Sequence, residues 1–137
     1  MLKSLSPEMN RDQISKAGEG SGKSGSFFFF TYDRKFIIKT MSDAELKNFR
    51  HMFKDYYEHL LRNPNSLLAR IYGIFTVDME DHVPVHLILM GNSMKIDNSK
   101  HIENIFDLKG SLNGRLTKGE IQNTTTLKDL NISQIRQ

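Results

Sequence analysis

Apolar and polar residues alternate along the middle of the chain in a pattern typical of paired strands. Aromatic and β-branched residues dominate Phe27–Phe30 and Phe36–Met41, which flank the polar turn 32–35, so these two runs predict a β-hairpin. A second pair of apolar runs, residues 66–78 and 83–90, flanks an acidic connection and predicts a second antiparallel pair. The pattern therefore predicts an antiparallel sheet built from two hairpins.

Between these hairpins the apolar residues recur at the spacing of an α-helix. Residues 42–45 have the Ser-x-x-Glu form of a capping box. Pro64 disfavours helical geometry at the residue before it and has no amide to donate. We therefore expect a helix from about residue 43 to about residue 62. Its apolar positions are Leu46, Phe49, Met52, Phe53, Tyr56, Tyr57, Leu60 and Leu61.

The flanking segments carry weaker signals. Residues 1–26 are rich in Ser, Gly, Lys and Asn, and residues 13–17 predict a weak strand before a glycine-rich loop. Residues 92–104 are polar and loosely helical at best, and residues 105–108 predict one more short strand. Residues 110–126 are interpreted as loop.

Composition narrows the class of protein. The 137 residues suffice for one ordinary domain, and a net charge of +3 favours anionic partners. Because there is no cysteine, disulfides, thiolate metal sites and cysteine nucleophiles are excluded, which favours a cytoplasmic setting. The N-terminus lacks the apolar stretch of a signal peptide, and the longest apolar runs are too short to span a bilayer. We expect a cytoplasmic protein that is soluble or peripheral to membranes.

A glycine-rich loop precedes the first hairpin. Four glycines among residues 18–25 would let backbone amides approach phosphate oxygens closely. The spacing misses the Walker A pattern by one residue, and the loop leads into an expected strand rather than a helix. Three interpretations stay open: a flexible linker, a kinase-type flap between two strands, and a true P-loop. The candidate cofactor-binding residues here are Gly22, Lys23, Ser24, Gly25 and Ser26.

Lys39 lies in the apolar strand after the hairpin turn, as does the lysine of the Val-Ala-Ile-Lys strand that pairs with nucleotide phosphates. An ordinary solvated strand lysine is the alternative. Glu45 is a candidate partner on the following helix, although its place in the first turn is already explained by capping. Glu58 is a second candidate on the same helix, so the partner of Lys39 stays open.

Residues 106–115 concentrate charge and glycine directly after an apolar segment. Asp107, Lys109 and Arg115 lie among Gly110 and Gly114, a composition suited to handling phosphate. An ordinary charged turn would look similar. Its position in the chain, after the glycine loop and the strand lysine, favours the phosphate-handling interpretation.

Four successive blocks resemble the phosphatidylinositol phosphate kinases. They are residues 22–29 (GKSGSFFF), 36–41 (FIIKTM), 90–92 (MGN) and 106–111 (FDLKGS). The resemblance runs from about residue 18 to residue 115, and residues 127–131 (LKDLN) are similar to a family segment that introduces the next helix.

The resemblance implies ATP-dependent phosphorylation of a phosphoinositide at a membrane surface, with ATP and Mg²⁺ as cofactors. It implies that Lys39 contacts the nucleotide phosphates beneath the glycine flap, and that Met90 and Asn92 lie at the adenine-side hinge. The Met-Gly-Asn form is similar to members that phosphorylate phosphatidylinositol 4-phosphate at the 5-position. The catalytic candidates that the resemblance implies are Asp107, Lys109 and Arg115; it implies no metal ligand in this chain.

For the fold, the resemblance implies an α+β kinase N-lobe, an antiparallel β-sheet with one long helix, truncated before most of the C-lobe. We expect a flexible segment at residues 1–17, the N-lobe and start of the C-lobe at 18–115, and a polar loop and C-terminal segment of the incomplete domain at 116–137. The family's Met-Asp-Tyr-Ser-Leu-Leu and Ile-Ile-Asp segments and its activation loop have no counterpart here. We therefore expect the isolated chain to be weakly active or inactive.

Two other classes of function are weighed against this one. A non-catalytic fragment would bind nucleotide or acidic lipid without turnover. A nucleic-acid binder would need aromatic residues interleaved with Lys and Arg on a sheet face, and Phe27–Phe30 lacks that interleaving. We expect no nucleic-acid partner, and the sequence leaves the oligomeric state open.

Overall fold

A computed structural model describes five stretches of the chain, residues 3–14, 18–19, 26–96, 102–122 and 125–135. The chain divides into two compact units, residues 1–95 and 96–137. Among the described helices, none is long and apolar enough to cross a membrane.

The first unit contains the sheet that the apolar runs predict. Its described strands are β1 (Gly18–Glu19), β2 (Phe27–Phe30), β3 (Phe36–Met41), β4 (Ile71–Val77) and β5 (Val85–Gly91). They pair antiparallel in the order β1-β2-β3-β5-β4. Both predicted hairpins, β2–β3 and β4–β5, are confirmed, although the second one begins at residue 71 rather than 66.

The helix between the hairpins, α2, spans Asp43–Arg62 as predicted. The Ser42 backbone N–H donates to Glu45 Oε2 over 2.8 Å, and the Glu45 N–H donates to Ser42 Oγ over 3.2 Å. This reciprocal capping box satisfies two amides that the helix itself leaves unpaired. At the other end, the Asn63 backbone N–H donates to the His59 carbonyl over 2.9 Å. With the predicted sheet, this helix confirms the α+β class.

Side chains tie α2 to the sheet. Leu46 is buried. Near the end of the helix, the Tyr56 hydroxyl donates to the Ala69 carbonyl and accepts from the Ile71 N–H, both over 2.8 Å. Because Ile71 begins β4, Tyr56 connects the helix with an edge strand of the sheet. Among the described residues of this unit, the other buried apolar ones are Phe36, Ile88 and Leu89.

The prediction of a weak strand at residues 13–17 is wrong for residues 13 and 14, which are the last two residues of the helix α1 (Pro7–Ile14). Residues 15–17 lie outside the described residues. Pro7 suits the first helical position because the N–H it lacks has no partner there. The buried Asn10 side chain donates to the Ser4 carbonyl over 2.9 Å and accepts from the Tyr32 N–H over 2.8 Å. These bonds join α1 to the β2–β3 turn, a long-range contact that no local pattern reveals. The domain boundary placed after residue 17 stays a prediction.

The second unit is small and is organised by side-chain hydrogen bonds. Strand β6 (Ile105–Phe106) pairs in parallel with β7 (Thr126–Leu127), and α3 spans Ile132–Ile135. The strand predicted at residues 105–108 is confirmed for its first half. The prediction of a loop at residues 110–126 holds for the described residues 110–122 and 125 and is wrong at residue 126, which begins β7. For the polar segment 92–104, the described parts are turns and irregular structure.

Candidate functional site

Lys39 lies in the centre of the sheet of the first unit. Its cross-strand neighbours are Phe28 on β2 and Ile88 on β5, and paired residues share one face of a sheet. The Lys39 ammonium lies 5.9 Å from the centroid of the Phe28 ring. Its side chain is 21% exposed, so the charge stands in partly apolar surroundings and needs a polar partner.

Glu45 is that partner, and it caps the helix at the same time. Lys39 Nζ donates to Glu45 Oε1 over 2.9 Å, while Glu45 Oε2 accepts from the Ser42 backbone N–H. The Lys39 hydrogen bond, followed by that from Ser42, lowers the pKa of Glu45 below its ordinary value. The sequence presented capping and lysine pairing as alternatives, and the two carboxylate oxygens serve both.

Glu58, the other sequence candidate, does not contact Lys39. Its Oε2 accepts from Arg62 over 2.6 Å, and its Oε1 lies 4.0 Å from Lys54 Nζ. Both pairs join residues four apart on the exposed side of α2, where such pairs contribute about 0.3–0.5 kcal/mol. Glu58 therefore acts on the helix surface only.

A polar cluster that sequence reasoning missed positions the start of α2. His86 on β5 lies with Nε2 2.8 Å from Asp43 Oδ1 and with Nδ1 2.8 Å from Thr76 Oγ1 on β4. These contacts connect the first residue of α2 with two strands, and Glu45 follows two residues later. Because the cluster joins residues more than 40 positions apart, no spacing in the sequence could have indicated it.

The glycine-rich loop joins two antiparallel strands. Gly18 in β1 pairs with Phe28, and Glu19 pairs with Phe27. A P-loop leads into a helix, whereas this loop leads into β2, which contradicts the P-loop interpretation. Ser26, directly before β2, is buried. Gly22, Lys23, Ser24 and Gly25 lie outside the described residues, so their role stays a prediction.

The predicted hinge residues lie at the end of β5. Met90 pairs with Ile37 on β3. Because Lys39 lies two residues after Ile37 on the same strand, Met90 and Lys39 face the same side of the sheet. The Asn92 side chain makes two hydrogen bonds to the backbone. Its Nδ2 donates to the Arg34 carbonyl over 2.8 Å, and its Oδ1 accepts from the Met94 N–H over 3.1 Å. Asn92 therefore fastens the β2–β3 turn to the end of β5.

The three catalytic candidates come together within the second unit. Lys109 Nζ lies 2.7 Å from Asp107 Oδ1, and an Arg115 guanidinium nitrogen lies 3.5 Å from Asp107 Oδ2. Lys109, and then Arg115, lower the pKa of Asp107. Asp107 is thus a carboxylate held ionised between two cations, and the catalytic role of the three residues stays a prediction.

Asp129 organises this group, and sequence reasoning gave it no role. Its Oδ1 accepts from the Gly110 N–H over 2.8 Å and from the Lys109 N–H over 3.1 Å, and its Oδ2 accepts from Arg115 Nε over 2.8 Å. Arg115, together with these backbone amides, lowers the pKa of Asp129 to about 2, and Asp129 raises the pKa of Arg115. Arg115 also donates to the Asp107 carbonyl. The sign of Asp129 that the sequence offered was the LKDLN segment at residues 127–131. Within that segment Asp129 contacts Arg115 and Lys109, which lie 14 and 20 positions earlier in the chain.

The described residues do not fit a metal site, because none of their side chains form a group of three or more His, Asp or Glu that could hold an ion. What they offer is positioned cations: the Lys39 ammonium in the first unit, and Lys109 and Arg115 beside Asp107 in the second. Ammonium and guanidinium groups bind and orient phosphate oxygens.

Comparisons with known proteins agree with this chemistry. A family model described as phosphatidylinositol-4-phosphate 5-kinase matches residues 9–137. The chain is 44% identical over 115 residues to phosphatidylinositol 4-phosphate 5-kinase 1 of Arabidopsis thaliana, covering 82% of this chain and 15% of that protein. It is 40% identical over 118 residues to a probable phosphatidylinositol phosphate kinase of Dictyostelium discoideum, covering 85% of this chain and 16% of that one.

A third relative, the phosphatidylinositol 4-phosphate 5-kinase its3 of Schizosaccharomyces pombe, is 42% identical over 97 residues, covering 71% of this chain and 13% of that protein. The chain thus spans about a sixth or less of the length of these curated relatives.

Proposed function

Because the chain belongs to the phosphatidylinositol-4-phosphate 5-kinase family, we propose that it supplies the nucleotide-holding part of a lipid kinase. The reaction is transfer of the γ-phosphoryl group of ATP to a phosphoinositide at a membrane surface. The lipid proposed is phosphatidylinositol 4-phosphate, with the phosphate added at the 5-position, as the names of the relatives suggest.

The observation that carries this proposal is the contact between Lys39 and Glu45. A strand lysine held by a helix carboxylate is the arrangement with which kinases place an ammonium on nucleotide phosphates. In this role Lys39 neutralises phosphate charge, and Glu45 keeps its ammonium oriented. Met90, on the same sheet face, would border the adenine. Ser26 and the glycines before it would cover the phosphates.

The second unit contributes phosphate-facing charge in this proposal. Lys109 is 62% exposed and is the residue most available to a phosphate oxygen. Asp107 orients Lys109, and Arg115, which is 13% exposed, acts as a positioning residue through Asp107 and Asp129. We propose that Asp107 and Lys109 touch the reacting groups and that Arg115 holds them in place.

We also propose that this 137-residue polypeptide alone transfers phosphate weakly or not at all. Phosphoryl transfer depends on positioned divalent ions and on a group that orients the attacking hydroxyl, and the described residues gather no set of metal ligands. Mg²⁺ would therefore reach the site with ATP rather than on ligands from these residues.

Titration with a fluorescent ATP analogue tests the nucleotide site directly. Lys39→Ala should weaken binding about tenfold, corresponding to one lost charge-assisted hydrogen bond. Lys35→Ala removes the same charge from the exposed turn of the same hairpin and is the matched control. Equal binding by the two variants would refute the role of Lys39.

A second assay separates binding from turnover. Transfer of labelled phosphate from ATP to phosphatidylinositol 4-phosphate in vesicles should be weak or absent, even where the nucleotide binds. Transfer that is lost in Lys39→Ala would support the lipid-kinase proposal and contradict weak activity. Nucleotide binding without transfer favours a binding role for this polypeptide.

A further inference from the structure

An apolar groove runs between α2 and the edge strand β4, on residues that the proposed nucleotide site does not use. It encloses about 750 Å³ and is lined along α2 by Phe49, Phe53 and Tyr57 and along β4 by Tyr72. Phe53, Tyr57 and Tyr72 are each about half exposed. Single exposed aromatic residues are ordinary, but aromatic residues grouped along one concavity mark an interaction site.

The charge around the groove has one sign. Among the described residues that line it, the charged side chains are Arg50 and Arg70, and no carboxylate is present. Arg70 donates to the Pro64 carbonyl. Arg50 is exposed and has no hydrogen-bond or ionic partner among the described residues, so its guanidinium is available to an anion.

A smaller cationic pocket of about 370 Å³ adjoins the groove and shares Leu46 and Arg50 with it. Lys47, Arg50 and His51 lie three and four positions apart and so follow one side of α2. One carboxylate, Asp43, also lines this pocket and contacts His86. The two permanent cations Lys47 and Arg50 outnumber it, so the pocket has a net positive charge at one end of the apolar groove.

We propose that this groove binds an amphipathic helical peptide segment of a partner protein, with its large apolar side chains against Phe53 and Tyr57 and an anionic group in the cationic pocket. The anionic group is a carboxylate or a phosphate on that peptide. The groove follows α2 from Leu46 to Leu61, about 22 Å at 1.5 Å per residue. That length suits a helix of about 15 residues, the helix-in-groove mode of recognition.

Two arguments favour a helix over the alternatives. A peptide adding to the sheet as a strand would need the outer edge of β4, and at the start of that edge the Tyr56 hydroxyl already binds the Ile71 amide and the Ala69 carbonyl. A lipid bilayer is flat and would rest on the rim of the groove rather than fill it. A helix with protruding apolar side chains fills the concavity and brings its acidic face to Arg50.

A displayed library of random peptides about 16 residues long provides the probe, with the complete 137-residue chain as bait. Selected peptides should carry Leu, Phe or Trp at helical spacing together with Asp or Glu. Their affinity, measured by fluorescence anisotropy, should fall about tenfold or more in Arg50→Glu and in Phe53→Ser. Lys54→Glu makes the same charge change on α2 outside the groove, and Leu67→Ser removes an exposed apolar side chain elsewhere. Both controls should bind within about twofold of the parent.

Replacing the peptide's acidic residue separates the two sources of negative charge. A glutamine should weaken binding, while phosphoserine in its place should restore it if phosphate is the better ligand. Several outcomes overturn the proposal: selection yields no peptides, or the selected peptides bind Arg50→Glu and Phe53→Ser as tightly as the parent. Two further results would also overturn it. Arg50-dependent sedimentation with phosphatidylserine vesicles would assign the groove to a membrane surface, and a dimer that Phe53→Ser converts to a monomer would assign it to a second copy of the chain.

Discussion

Glu45 uses one oxygen for the helix cap and the other for Lys39, and two substitutions separate these roles. Ser42→Ala removes the hydroxyl that accepts from the Glu45 N–H and leaves the contact with Lys39 intact. Glu45→Gln keeps an oxygen for the Ser42 backbone amide, since Gln also serves in capping boxes, but removes the charge that faces Lys39. We expect Ser42→Ala to act on stability and Glu45→Gln to act on nucleotide binding.

The magnitudes follow from the contacts. Loss of an N-cap hydroxyl costs about 1 kcal/mol of unfolding free energy. The Glu45 side chain is 43% exposed, and an ion pair so accessible to water contributes about 0.5 kcal/mol or less to stability. Orientation of the Lys39 ammonium is worth about 1 kcal/mol toward a bound phosphate, which corresponds to roughly fivefold in affinity.

Urea unfolding followed by circular dichroism measures the first effect, and titration with a fluorescent ATP analogue measures the second. Ser42→Ala should lower the unfolding free energy while nucleotide affinity stays within about twofold. Glu45→Gln should weaken nucleotide binding roughly fivefold while its unfolding free energy changes by about 0.5 kcal/mol or less. If both variants lose the same nucleotide affinity, or if Glu45→Gln loses none, then Glu45 is a helix cap alone and the pairing with Lys39 has no part in binding nucleotide.

Two further predictions concern the second unit. The pKa of Asp129 is about 2, below its ordinary 3.8, so its ionised form stabilises the folded chain above about pH 4, and this stability is lost as the pH falls from 3.8 toward 2. In urea unfolding, the unfolding free energy of Asp129→Asn should therefore change less over that pH range than that of the parent. An unchanged pH dependence would contradict the assignment. Asn131 is fully buried, and its side chain makes four hydrogen bonds, to Thr117, Lys128 and Gln134. By the same measurement, Asn131→Ala should lower the unfolding free energy by about 3 kcal/mol. The matched control Asn104→Ala, at an exposed position, should leave it almost unchanged.

The elements that the sequence predicted correctly are those whose causes are local. The hairpin of β2 and β3 follows from apolar runs around a polar turn, and α2 follows from helical spacing between Ser42 and Pro64. Each signal lies within about 20 residues, where strand alternation and helix capping operate. The helix expected from about residue 43 to about residue 62 accordingly spans Asp43–Arg62.

The errors and omissions share a different cause. The helix α1 depends on Asn10, which bonds to the turn 22 positions away, and the second unit depends on Asp129, which bonds to Lys109 and Arg115. A polar side chain buried by distant partners looks like any surface residue in a sequence. The grouping of Asp107, Lys109 and Arg115 was predictable because the three are close in the chain, but the carboxylate that organises them was not.

The proposed nucleotide site and the proposed peptide groove share one element, because α2 carries Glu45 in its first turn and begins to line the groove at the next residue, Leu46. A peptide in the groove packs α2 against β4, and a nucleotide on Lys39 acts on the same helix through Glu45. Linkage makes any such coupling reciprocal. A selected peptide that raises nucleotide affinity must itself bind more tightly in the presence of nucleotide, and by the same factor. Glu45→Gln, which cuts the connection at Lys39 but leaves the groove untouched, should abolish that factor while peptide binding alone persists.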